Sequence, residues 1–145
     1  MKFIPLAVIK STAKMIAFCK NANEAVVANR NGEPKIVFMS RQVYEAQMGA
    51  VTEDGVKNLR RDVELVAPPI LIRVFKNPAD AVRICETFSG QVIPVLRNGI
   101  DELYMMDYRS YAQRMQEFRK FLNGESKNLA FPFFLYYGTI LLVIS

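Results

Sequence analysis

The sequence predicts an α+β fold made of two copies of one small unit, and three observations predict it. Residues 26–48 recur without a gap as residues 93–115, so that Arg30, Asn31, Gly32, Met39, Tyr44 and Met48 fall on Arg97, Asn98, Gly99, Met106, Tyr111 and Met115. Each copy centres on an Asn-Gly pair between apolar runs, the mark of a tight β-hairpin. Each hairpin is flanked by stretches whose apolar residues return at helical spacing.

In chain order, residues 3–6 form a short apolar strand, and residues 11–21 a helix with Met15, Ile16 and Cys19 on one face. Asn31-Gly32 then supplies the two positive-φ residues of a type I′ turn. A two-residue loop pairs Arg30 with Glu33, Ala28 with Lys35, Val27 with Ile36 and Val26 with Val37. One face of the hairpin then carries Ala25, Val27, Ile36 and Phe38; the other carries Val26, Ala28, Val37 and Met39. Both faces are apolar away from the turn, so both need cover, by the unit's own helices on one side and the other copy on the other. Ser40 is placed to cap a helix on which Tyr44 and Met48 share a stripe. Tyrosine at such a position reads as core.

The second copy repeats the order. Residues 70–74 are the strand, and residues 78–87 the helix, with Asn77-Pro78 as cap and first-turn proline. Asn98-Gly99 turns the hairpin, pairing Arg97 with Ile100 and Val95 with Glu102. Asp107 caps a last helix that carries Tyr111, Met115, Phe118 and Leu122. Between the copies, residues 52–65 read as a charged amphipathic helix, which Ala67-Pro68-Pro69 ends. The domain plan is therefore a unit at 1–48, a linking helix at 49–66, a second unit at 67–123 and an apolar tail at 124–145. The expectation is that the two units pack sheet to sheet as an internal pseudo-dimer.

The totals bound the function. The 145 residues carry 19 Lys and Arg against 14 Asp and Glu, a formal charge of +5. Residues 1–48 hold seven bases and three acids, so the excess sits on the first copy. Such a focus suits a polyanion partner without requiring one. The chain has no histidine, which removes Ser-His and Cys-His nucleophiles and His-ligated zinc. No phosphate-cradling glycine motif is present. The acidic pairs Glu53/Asp54 and Asp101/Glu102 read as solvated surface, since adjacent side chains diverge. The expectation is a binding protein without a cofactor, not an enzyme. Cys19 and Cys85 read as small buried hydrophobes in a reducing cytoplasm.

The first copy resembles the prevent-host-death (Phd/YefM) antitoxin family. The residues that carry the resemblance are Arg30, Asn31-Gly32, Pro34, the apolar strand 36–39, Ser40 and Tyr44-Glu45. The second copy keeps Arg97, Asn98, Gly99 and Tyr111 but has Asp101, Asp107 and Ala112 where the first has Pro34, Ser40 and Glu45. The resemblance implies a tandem duplicate of a type II toxin-antitoxin repressor, which binds operator DNA and neutralises a toxin through its C-terminal segment. It implies DNA contacts at Lys10 and Arg30. Helical spacing adds Lys14, one turn beyond Lys10, and the repeat adds Lys76 and Arg97. The implied partners are operator DNA and a toxin protein, with association as an internal pseudo-dimer or a homodimer. The competing reading is a protein-interaction module of the same fold that does not bind DNA.

The tail allows three readings: a docking strand pair, a membrane anchor, and a segment acquired by frameshift or truncation. An anchor wants an unbroken apolar run of about 20 residues. Residues 129–144 are fewer and include Pro132 and Gly138, so a strand pair suits their β-branched and aromatic content better.

Overall fold

The computed structural model describes residues 1–48 and 66–122. The expected helix at 52–65 and the apolar tail lie outside these residues. Among the described residues, no helix is long and apolar enough to cross a membrane.

The fold is α+β. The first half runs β1 (Lys2–Pro5), a 3-10 turn (Leu6–Lys10), α1 (Thr12–Ala22), β2 (Val26–Arg30), β3 (Glu33–Met39) and α2 (Arg41–Met48). The second half repeats the order: β4 (Ile70–Leu71), a 3-10 turn (Ile72–Lys76), α3 (Pro78–Thr87), β5 (Ile93–Arg97), β6 (Ile100–Asp107) and α4 (Tyr108–Leu122). The first opening strand has its expected four residues, set one position earlier, whereas the second is shorter than expected because a 3-10 turn takes over at Ile72. Pro68 and Pro69 lack N–H donors, so pairing before β4 is reduced to one bridge between Val66 and Val92.

All six strands form one sheet in the order β1-β2-β3-β6-β5-β4. This corrects the expectation of two sheets packed face to face. The halves meet edge to edge, through an antiparallel β3–β6 ladder from Ile36↔Asp107 to Met39↔Tyr104. The physical reason lies in two needs that the sequence pattern leaves open. The outer edge of each hairpin carries unpaired N–H and C=O groups that another strand can satisfy, and both apolar faces still want helices.

Helices supply that cover on both faces. The 3-10 turns with α1 and α3 bury one face around Ile9, Met15, Phe38, Phe75, Leu103 and Met105. Phe38 and Phe75 meet edge to face across the halves, with ring centroids 5.3 Å apart. Helices α2 and α4 bury the other face around Val27, Val37, Met39, Tyr44, Met106 and Tyr111. Helix α2 lies against β6 and α4 against β3, so each half covers the other's strand.

Both turns have positive φ at both residues, Asn31 and Gly32 in the first, Asn98 and Gly99 in the second, as a type I′ turn requires. The expected pairing holds from Arg30↔Glu33 to Asn29↔Pro34 and from Arg97↔Ile100 to Leu96↔Asp101, and then fails. A bulge shifts each hairpin by one residue, giving Ala28↔Ile36 and Val95↔Leu103. The faces are thereby re-sorted: Val26, Ala28, Ile36 and Phe38 lie together, opposite Ala25, Val27, Val37 and Met39. Pro34 is not the cause, because the bulge recurs where Asp101 replaces it. A bulge absorbs one residue and adds twist, and that residue is Lys35 in one hairpin and Glu102 in the other.

The caps follow the sequence in two cases of three. The Val43 N–H donates to Ser40 Oγ at 3.2 Å, and the Ser110 N–H to Asp107 Oδ2 at 3.0 Å. Asn77 makes no side-chain cap, although Pro78 does open α3.

Candidate nucleic-acid interface

Lys10 ends the first 3-10 turn, and Arg30 ends β2 beside the hairpin tip; both are exposed. The parallel β1–β2 pairing, Pro5↔Asn29 at its end, brings the 3-10 turn up against the tip. The two cations therefore line one shallow cleft of about 420 Å³, together with Asn29 and Asn31. Its far wall is Asn77, Pro78 and Ala79, the start of α3 from the second half. At this helix start Pro78 has no N–H and the Asp80 N–H is held by the Asn77 carbonyl at 2.9 Å, so what the helix adds is chiefly the positive end of its dipole. Neither Lys10 nor Arg30 has an ion-pair partner among the described residues. The cleft thus presents positive charge and donors in one place, the pattern that receives phosphate oxygens.

Lys14 is placed otherwise than its spacing suggests. Ser11 (φ −85°, ψ 73°) separates the 3-10 turn from α1, so Lys10 and Lys14 do not share a helix. Lys14 is exposed in the first turn of α1 and does not line the cleft.

The second-half residues are also set apart. Lys76 is exposed at the end of its 3-10 turn. Arg97 Nη2 lies 3.2 Å from Glu102 Oε1, and Lys20 Nζ from α1 lies 2.7 Å from Glu102 Oε2. The hydrogen bond from Lys20, helped by the charges of Lys20 and Arg97, holds the Glu102 carboxyl below its usual range. Arg97 and Arg30 thus occupy equivalent hairpin positions in opposite electrostatic settings.

Asn29 and Asn77 were missed as contributors to the cleft by sequence reasoning. The Asn29 side chain has its Oδ1 buried without a hydrogen-bond partner. The available signal was the polar run Asn29-Arg30-Asn31 closing an apolar strand. No signal local to Asn77 could have placed it there, because its contact with the cleft spans the two halves.

Comparison with protein-family models, with curated proteins and with solved structures gave no match.

Proposed function

We propose that this chain is a DNA-binding repressor of the prevent-host-death antitoxin type, its two halves forming the internal equivalent of a dimer, and that it neutralises a partner toxin. The observation that carries the reading is the meeting of Lys10 and Arg30 in one exposed cleft, without an acidic partner among the described residues. These are the two positions that the resemblance marks for DNA contact, and they are 20 residues apart in sequence.

The repeated order of elements supports the pseudo-dimer. The β3–β6 register puts Arg30 and Arg97 at opposite ends of the shared strand direction. The toxin-neutralising part of the proposal rests on the resemblance alone.

The second reading, a protein-interaction module, is favoured by the Arg97–Glu102 pair, which neutralises one of the two tips. A gel-shift titration across salt concentrations separates the two, using duplexes from the region upstream of the chain's own reading frame. A DNA-binding protein loses affinity steeply as salt rises, because phosphate contacts release counterions. Arg30→Ala should weaken that binding while leaving the melting temperature nearly unchanged, since Arg30 is exposed. Absence of salt-dependent binding in the unsubstituted protein would leave the interaction module standing.

A further inference from the structure

We infer that the nucleic-acid surface is one-sided: the first half contacts DNA, and Glu102 has turned the second hairpin from a contact surface into a brace between the halves. The inference rests on the DNA-binding reading above and adds which of the two tips does the binding.

The equivalence of positions comes from the fold. The 3-10 turns and first helices of the halves superpose in sequence at an offset of 66 residues, and the hairpins at 67, with the extra residue in the loop before β5. Lys14 then corresponds to Asp80, each the third residue of its helix. Lys35 corresponds to Glu102, each the residue absorbed by the bulge. Lys20 corresponds to Glu86. Three bases of the first half are acids in the second.

The consequence shows at the two tips. Around the first, the positions Ala7, Lys10, Lys14, Arg30, Glu33, Pro34 and Lys35 hold four cations against one acid. Their counterparts Arg73, Lys76, Asp80, Arg97, Ile100, Asp101 and Glu102 hold three cations against three acids. Lys35 pairs with Glu33 at 3.2 Å, which leaves Lys10, Lys14 and Arg30 without acidic partners among the described residues. In the second half Asp80 pairs with Arg83, and Glu102 takes Arg97.

Glu102 also reaches across the molecule. Its side chain is only 11% exposed, and its closer contact is Lys20 of α1. A largely buried carboxylate between two cations is a structural tie, and a phosphate backbone approaching Arg97 would meet Glu102 and Asp101 beside it. Electrostatic attraction to DNA scales with the number of phosphates neutralised, so a tip whose hairpin arginine is held by Glu102 contributes less than the first.

The test is a set of binding isotherms across salt, on duplexes of about 30 base pairs from upstream of the reading frame, long enough for two half-sites one turn apart. Circular dichroism melts establish that each variant is folded. Arg30→Ala should lower affinity about tenfold or more and reduce the salt slope by about 1, whereas Arg97→Ala should leave both nearly unchanged. Glu102→Lys, which restores the first-half residue, should raise affinity and steepen the slope, and footprinting should extend to a second half-site. Glu102→Gln frees Arg97 without adding a base and should give a smaller gain. Equal losses from Arg30→Ala and Arg97→Ala, with DNA binding intact in the parent protein, overturn the one-sided surface alone. A parent protein that binds no duplex in a salt-dependent way overturns the DNA-binding reading and this inference together.

Discussion

Tyr44 of α2 and Tyr104 of β6 stack with ring centroids 4.2 Å apart and planes 15° from parallel, joining the first half's last helix to the second half's central strand. Both rings are nearly fully buried. The Tyr104 hydroxyl donates to Asp101 Oδ2 at 3.0 Å, which keeps the polar end of the ring satisfied at the sheet margin. Tyr104→Ala should cost about 3–5 kcal/mol, the range for removing a large buried ring. Tyr104→Phe keeps the stack and loses one hydrogen bond, for about 0.5–1.5 kcal/mol. Urea denaturation of the two variants gives the ratio, and equal losses would show that the hydroxyl and not the ring matters.

The two helix caps should differ in cost. Ser40 Oγ accepts from the Val43 N–H at 3.2 Å, and Ser40→Ala should lose about 1 kcal/mol. Asp107 caps α4 and also accepts from the Gly90 N–H at 3.1 Å, tying the loop before β5 to the helix start. Asp107→Ala should therefore destabilise more than Ser40→Ala, and Asp107→Asn should recover part of the loss. Thermal unfolding of the three variants measures the order, which a single shared value would contradict.

Gly32 has φ +78° with open space where a Cβ would stand. A substitution there meets backbone strain and no steric neighbour. Gly32→Val should destabilise by roughly 1–3 kcal/mol, since a β-branched residue at positive φ is strained. Gly32→Asn should cost less, because asparagine tolerates this region. An unchanged denaturation midpoint for the valine variant would mean that the turn relaxes to another type.

Stability should fall on the alkaline side. Burial pushes the Cys19 thiol up to about 12; burial, followed by the charges of Asp107 and Glu86, does the same for Cys85. Burial likewise raises the Tyr104 and Tyr111 hydroxyls above their usual range. A group whose folded pKa is raised holds its proton more tightly when folded. Its stabilisation is intact below the unfolded value and lost as pH rises toward the folded one. Urea midpoints should hold steady up to about pH 8 and decline from about pH 9 to 12. The Cys19→Ala/Cys85→Ala pair should flatten the first part of that decline; an unaltered slope would assign it to the tyrosines.

The parts of this fold that were legible in the sequence are those decided by near neighbours. Asn31-Gly32 and Asn98-Gly99 announce their turns because few residues accept positive φ. Ser40 and Asp107 announce caps because a short side-chain oxygen reaches the first-turn N–H groups. The bulges were not legible, since alternating apolar residues fit either register until packing chooses one. Edge-to-edge joining of the hairpins was not legible either: hairpins apolar on both faces say that cover is needed and not what supplies it. In the candidate site, Arg30 came from the family resemblance and Arg97 from the repeat; the repeat also set Glu102 on Lys35, but the ion pairs of Glu102 with Arg97 and Lys20 depend on contacts that only the fold brings together. Lys14 was assigned to the face of Lys10 by a helical spacing that Ser11 interrupts.

The β3–β6 ladder has a kinetic consequence. Its paired residues are 65 to 71 positions apart in the chain, whereas each hairpin closes over a two-residue loop. Hairpins form in about 1–10 μs, but the central ladder waits on closure of a long loop and gains nothing until that entropy is spent. High sequence separation of contacts slows folding. Refolding should thus divide into fast local zippering and a slower meeting of the halves. Until they meet, the free edges of β3 and β6 are open to the same strands of another molecule, so crowded refolding should favour exchanged pairs of chains.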